Sequence, residues 1–328
     1  MSNIHKQTIF SGIQPSGLLH LGNYLGAISQ WVETQDEYNS IFCVADYHAI
    51  TVKQEPEKLK RQILDTVKAY LASGVNPEKS IIFQQSHISA HTELAWILNC
   101  VARLADLNKM TQFKDKAGKD RETVSMGLYD YPILMAADIL LYNTDLVPVG
   151  EDQKQHVELA RDLAKRFNGS FGEVFKIPEV QIKKEGARIM GLDDPMKKMS
   201  KSASSPANYI SLLDDIESAK KKIMRAVTDS GVEIKYNKEE KPAISNLLII
   251  YSLLADASTK DLEKKYKNSG YGEFKKDLAE VVADFLSLFQ KKFNSFADED
   301  IAEILKAGAK KARPAAEETL GRVKEKIG

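Results

Sequence analysis

The stretch Thr8-Ile9-Phe10-Ser11-Gly12-Ile13-Gln14-Pro15-Ser16-Gly17-Leu18-Leu19-His20-Leu21-Gly22-Asn23 changes character twice. Thr8-Ile9-Phe10 is β-branched and aromatic, the composition of a strand. From Gly12 to Gly17 glycine and proline punctuate the chain. Beyond them Tyr24, Leu25, Ile28, Trp31 and Val32 recur at the spacing of one helix face. A strand, a tight turn and a helix make half of a βαβ unit.

Working outward, the same alternation repeats. Residues 40–45, 80–84 and 146–149 are short apolar strands, and 60–71, 93–101 and 152–167 carry helical periodicity. Strands separated by helices imply right-handed crossovers and a parallel sheet. The expected fold class is therefore α/β, a Rossmann-like parallel sheet with helices on both faces. Ligands of such sheets bind beyond the carboxyl ends of the strands. Here those ends are polar: Ser11 to Ser16, Asp46 to His48, Gln84 to His87 and Gly150 to Gln153.

Composition shifts at Ser202-Ala203-Ser204-Ser205-Pro206. Strand-like alternation stops there, and Glu273 to Phe289 carries Phe274, Leu278, Val281, Val282, Phe285, Leu286 and Phe289 at helical spacing. Two domains follow: a sheet domain over 1–204 and a helical one over 205–328, whose last helix would return to pack on the first.

The 328 residues suit two domains, and 43% hydrophobic with 28% charged is a globular balance. Lys plus Arg equals Asp plus Glu at 46 each, so bulk charge argues for neither nucleic acid nor membrane. Residues 205–328 hold 22 basic and 21 acidic residues, so the helical part has no overall positive field. Two cysteines, Cys43 and Cys100, exclude a disulfide framework and fit a reducing cytoplasm. The apolar run Leu247 to Ala255 is half a membrane span, and the start of the chain lacks a signal-peptide core. A soluble cytoplasmic protein without a membrane partner is expected.

Two motifs carry chemistry. Pro15 to Asn23 joins a strand to a helix, where glycines admit a ligand to the backbone and helix N–H groups face phosphate. By itself it is equally well a tight βα turn, and it is neither a G-x-G-x-x-G fingerprint nor a P-loop. Lys198-Met199-Ser200-Lys201-Ser202 puts two lysines and two serines in a loop suited to clamp an anion.

Together they carry a family resemblance. His20-Leu21-Gly22-Asn23 resembles the His-Ile-Gly-His element of class I aminoacyl-tRNA synthetases, and Lys198 to Ser202 matches their KMSKS loop letter for letter. Phe10 to Gly17, Met135 to Tyr142 and Val147 to Gln153 resemble the bacterial tryptophanyl-tRNA synthetases in particular. Asn23 stands where the second histidine of the class pattern falls. The resemblance implies that tryptophan's carboxylate attacks the α-phosphorus of ATP, and that the acyl group then passes to tRNA(Trp). Such chemistry needs alignment and charge neutralisation rather than a protein nucleophile. Gln14, Pro15, Ser16, Gly22 and Asn23 would contact ATP, His20 would lie near its phosphates, and Gly150, Glu151 and Asp152 near its ribose. Ile189 would pack by the adenine, and Lys198, Met199, Ser200, Lys201 and Ser202 would close on the phosphates. Lys116 would approach the pyrophosphate, although its segment reads equally as a solvated helix. Asp138 would accept the indole N–H inside walls of Phe10, His48, Tyr131, Met135, Val147 and Val149, with Gln153 near the ammonium or the ribose. ATP would arrive with Mg²⁺ held by its phosphates and water, with no protein metal site, and the family implies a homodimer.

Competing readings are a tyrosyl-tRNA synthetase, a small-molecule adenylyltransferase and a non-catalytic RNA-binding paralogue. His87 and His91 stand at i, i+4, but no third metal ligand is evident. Lys220, Lys221, Lys222 and Arg225 are candidates for tRNA phosphate contacts.

Overall fold

The computed structural model describes residues 6–15, 19–110, 125–150, 153–182, 188–201, 203 and 205–328. Five parallel strands form its sheet: β1 (Thr8–Ile13), β2 (Asn39–Val44), β3 (Ser80–Gln84), β4 (Leu146–Val149) and β5 (Glu179–Ile182). Their order is β3-β2-β1-β4-β5, so the winding reverses between β1 and β4. The crevice at such a reversal is where α/β sheets bind ligands.

Alternation along the strands supplies both faces. Phe10, Ile41, Cys43 and Phe83 point to one side, where α2 (Ala90–Val101), α3 (Met126–Leu140) and α4 (Lys154–Phe171) bury Leu94, Ile133 and Leu163 against them. Phe42, Val44 and Ile82 point to the other, covered by α1 (Pro56–Ala72) through Val67 and Tyr70, and by Ile28 and Trp31. Trp31 stacks on Phe42 at 4.9 Å between ring centres. The helical run that carries Ile28 and Trp31 contains a π-helical segment, Tyr24–Ile28.

Two readings of the strands need correction. Gly12 and Ile13 are not turn residues but the end of β1, paired with Cys43 and Val44 of β2. Ladder hydrogen bonds to a neighbouring strand override the turn composition there. Strand β5 escaped detection because Glu179-Val180-Gln181-Ile182 is short and half polar, as an edge strand can be.

Beyond residue 205 come α5 (Ile216–Arg225), α6 (Pro242–Ala255), α7 (Tyr271–Ser295) and α8 (Asp298–Ile327). Helices α5 to α7 share a separate core that includes Ile223, Leu248 and Phe274. Leu21, Leu25, Ile189 and Met199 belong to the same core, so both sequence motifs are anchored in it. Helix α8 leaves that layer and runs across the open edge of β3. Its Ile301 and Leu305 join one face of the sheet, and Ala309, Ala312, Ala316 and Leu320 join the other. Gly308 lies at the crossing.

Candidate functional site

A cavity of about 300 Å³ opens at the β1/β4 reversal. That volume suits a small-molecule ligand. Strand β1 contributes Phe10, Ser11, Gly12 and Ile13, strand β4 contributes Val147, Pro148 and Val149, and α3 contributes Tyr131, Met135, Asp138 and Ile139. Gln14, His48, Thr51 and Gln153 add to its polar part. Phe10, His48, Tyr131, Met135, Asp138, Val147, Val149 and Gln153, drawn from distant stretches of sequence, thus meet around one space. Gln14 also braces it, donating from Nε2 to the His48 carbonyl at 2.7 Å.

Asp138 is 3% exposed, so its carboxylate must be compensated from within. Gln85 Nε2 donates to Oδ1 at 2.7 Å, His91 Nδ1 meets the same oxygen at 2.6 Å, and His48 Nε2 meets Oδ2 at 2.9 Å. Burial alone would raise its pKa; the hydrogen bonds from His48 and His91 outweigh burial and hold it well below the usual carboxylate range. The result is an ionised acceptor at the cavity wall. Gln85 and His91 were not among the sequence-predicted site residues. Gln85 follows β3 directly, so its position at a strand's carboxyl end was the available signal. His91 has both ring nitrogens engaged, the second at 2.8 Å from the Tyr142 hydroxyl, which accounts for it without a metal.

The second cluster joins the two motifs. His20 pairs with Ser211 in an antiparallel bridge, and Leu21 N donates to Ile210 O at 2.8 Å. Residues 189–199 fold back on themselves: Met190 bridges Lys198, and Met199 N donates to Ile189 O at 3.0 Å. Buried Met199 plugs this loop into the core beside Gly22, where an added Cβ would come 3.3 Å from its sulfur and 3.0 Å from His20 Nδ1. Asn208 holds the loop from behind, accepting from Ser200 N at 2.9 Å and donating to Asp193 at 2.6 Å. Asn23 Oδ1 accepts from His20 N at 3.0 Å, so that side chain also fixes its own turn. Ile189 is buried in the helical core. Lys198 and Lys201 are exposed at the loop surface, Pro15 is buried, and Gly150 accepts from Gln153 N at 3.0 Å. Ser16, Lys116, Glu151, Asp152 and Ser202 lie outside the described residues.

Burial, and the charges of Lys198 and Lys201, push the His20 pKa down to about 4. Its Nδ1 is buried and lacks a hydrogen-bond partner among the described residues. A neutral imidazole beside two ammonium groups leaves their positive charge available to a polyanion. The same shift predicts an acid sensitivity. Between the ordinary histidine value of about 6.5 and about 4, the unfolded chain binds a proton at this position that the folded one refuses. Stability must therefore fall as pH drops through that window, by roughly 3 kcal/mol at its lower end. Chemical denaturation of the ligand-free protein at pH 7 and pH 4.5 should show a smaller loss for His20→Asn than for the parent. Equal losses would refute the assignment.

Comparison with known proteins places the geometry. The family model for class I tRNA synthetases (W and Y) matches residues 2–287. A tryptophan–tRNA ligase of Caldanaerobacter subterraneus is 54% identical over 98% of both chains, and that of Bacillus subtilis is 53% identical over 98% of both. Among solved structures, a tryptophanyl-tRNA synthetase of Mycoplasma pneumoniae superposes with a TM-score of 0.92 at 37% identity, covering 98% of each chain. The Campylobacter jejuni enzyme, solved with ADP and tryptophan, gives 0.84 at 39% identity, covering 98% of this chain and 100% of its own.

Proposed function

This chain belongs to the class I tRNA synthetases of the tryptophan and tyrosine branch, and we propose that its two linked clusters divide the work of joining L-tryptophan to tRNA(Trp) at the expense of ATP. The reaction class is fixed by relatives at about half identity over the whole chain. The geometry of the described residues supports the division of labour. The β1/β4 cavity takes the tryptophan side chain, with the Asp138 carboxylate accepting the indole N–H and Gln153 near the ammonium or the ribose. The His20 and Lys198–Lys201 cluster takes the triphosphate, with Gln14, Pro15, Ser16, Gly22, Asn23, Gly150, Glu151, Asp152 and Ile189 around the nucleotide. The observation that carries this is the pairing of an ionised, hydrogen-bonded Asp138 in an apolar cavity with a neutral His20 beside two lysines.

In this arrangement the tryptophan carboxylate attacks the α-phosphorus, and Lys198, Lys201 and Lys116 neutralise the departing pyrophosphate. The acyl group then moves to a hydroxyl of the terminal adenosine of tRNA, releasing AMP. ATP is a substrate here, with Mg²⁺ accompanying its phosphates. Lys198 and Lys201 bring positive charge to the phosphates, which suits an ion held by phosphate and water.

Asp138→Ala tests the tryptophan assignment. A hydrogen bond to a charged acceptor contributes about 1.5–3 kcal/mol, so kcat/KM for tryptophan in ATP–pyrophosphate exchange should fall roughly 10- to 150-fold. The KM for ATP should stay within about twofold, because an interaction with the amino acid alone carries no ATP binding. Lost ATP binding with unchanged tryptophan preference would mean the cavity is misassigned.

We also assign the tRNA anticodon end to the helical part that begins near residue 205. Lys220 and Lys222 are poor candidates for that contact, since Lys220 Nζ holds Glu280 at 2.7 Å and Lys222 Nζ holds Asp214 at 2.6 Å. Lys221 and Arg225 are exposed, and their removal should weaken tRNA charging more than exchange. A homodimer and a cytoplasmic location complete the proposal. Trp96, Leu104 and Met126 are each more than 70% exposed on neighbouring segments. A subunit contact would cover them, since a contiguous exposed apolar patch is what an interface buries. Sedimentation should return twice the 36.7 kDa chain mass, and Trp96→Asp should lower it towards one. No described helix is long and apolar enough to cross a membrane.

A further inference from the structure

The two oxygens of Asp138 are unequal. Oδ1 takes two donors from residues that do not line the cavity, Gln85 Nε2 at 2.7 Å and His91 Nδ1 at 2.6 Å. Gln85 and His91 are both fully buried. A carboxylate oxygen offers about two lone-pair sites, so Oδ1 is saturated. Oδ2 takes one donor, His48 Nε2 at 2.9 Å, and His48 itself lines the cavity. One acceptor site therefore remains, on Oδ2, at the cavity wall.

His91 continues inward. An ionised carboxylate has no hydrogen to give, so His91 Nδ1 carries the hydrogen and donates. In a neutral imidazole Nε2 is then the acceptor, and the Tyr142 hydroxyl 2.8 Å away donates to it. Burial pushes the Tyr142 phenol far above its ordinary pKa, which keeps that hydrogen in place. The Tyr142 ring stacks on Phe10 at 5.6 Å, with the planes 9° apart, and Phe10 is a cavity wall. The relay is thus locked to the strand that shapes the pocket.

We propose that His91 is a positioning residue for amino-acid selection: held by Tyr142, it saturates Asp138 Oδ1 and fixes the carboxylate so that Oδ2 alone presents an acceptor to the ring N–H of the substrate. The proposal rests on Asp138 being the indole acceptor. Without the His91 hydrogen bond the carboxylate loses a donor, can turn about its Cβ–Cγ bond, and is drawn toward the protonated form that burial favours. A protonated or turned carboxyl no longer offers one directed acceptor. The loss falls on substrates that carry an N–H and spares those of equal shape that lack it.

Exchange kinetics with L-tryptophan and with β-(3-benzothienyl)-L-alanine, in which sulfur replaces the N–H, test this. The amide nitrogen of asparagine overlays imidazole Nδ1, and that of glutamine overlays Nε2. His91→Gln should therefore lower kcat/KM for tryptophan about 10- to 150-fold while moving the sulfur analogue by less than about threefold. His91→Asn should restore the preference to within about threefold of the parent. Tyr142→Phe removes one hydroxyl from a packed ring and should narrow the preference about three- to tenfold, which keeps the test open if His91→Gln does not fold. Three results separate the possibilities. A parent protein that activates both substrates equally would overturn the Asp138 reading itself. A parent that prefers tryptophan, with His91→Gln and Tyr142→Phe keeping that preference, would overturn only the His91 role. Equal losses for both substrates in both variants, together with lowered thermal midpoints, would also overturn it by making His91 a packing residue.

Discussion

Alanine in place of Lys198 or Lys201 should lower kcat for adenylate formation by about 10²–10³-fold, the scale of removing one preorganised stabiliser of developing charge. Pyrophosphate gains charge as it leaves, so a cation fixed beside it contributes most in the transition state. Affinity for tryptophan should barely move, because neither lysine lines the cavity that holds Asp138. The fold should also be indifferent, since both side chains lie at the loop surface and the loop is anchored by Met199 and by Asn208. Neighbouring Lys197 supplies the control. It is exposed and paired with Asp194 at 2.8 Å on the outer turn, so Lys197→Ala should alter kcat by less than about threefold. Single-turnover measurement of adenylate formation decides the matter. A double alanine variant with the parent kcat would remove the clamp from the mechanism.

The second large effect concerns stability. Gly308→Ala should destabilise the protein by at least about 3 kcal/mol, the upper range for overpacking a tight interface. An alanine Cβ at this position would lie 2.6 Å from the Ile82 carbonyl carbon and closer still to its oxygen. Both atoms are backbone of the edge strand β3, so no side chain can swing aside. Helix α8 would have to lift away from the strand, and the buried residues on either side of the crossing, Leu305, Ala309 and Ala312, would lose contact with it. Gly321 in the same helix has nothing within 4 Å of an added Cβ. Gly321→Ala should therefore gain the ordinary helix-propensity difference of about 0.5–1 kcal/mol. Denaturant midpoints of the two variants should move in opposite directions, and a shared shift would show that the crossing is not the tight point of the fold.

Most of the elements and the class of chemistry are legible in the sequence. Short-range patterns carry that information: period-two and period-3.6 runs mark strands and helices, and the Pro15 to Asn23 and Lys198 to Ser202 stretches keep their meaning wherever the chain places them. The family resemblance those stretches carry also named most of the residues that meet around the cavity, from Phe10 on β1 to Asp138 on α3 and Val147 on β4. Local patterns failed where pairing with a distant strand set the outcome, at Gly12-Ile13 and in β5. They failed again for compensation of buried charge. Asp138 in an apolar helix demanded partners, yet His91 and His48 come from 47 and 90 residues away. The tertiary structure alone decided that burial and the charges of Lys198 and Lys201 hold His20 neutral, that Asn208 anchors the loop at Ser200, and that Gly308 is where α8 meets β3. The reason is common to these cases. Periodicity states which face of an element is buried, whereas desolvation and hydrogen bonding depend on which other element arrives there.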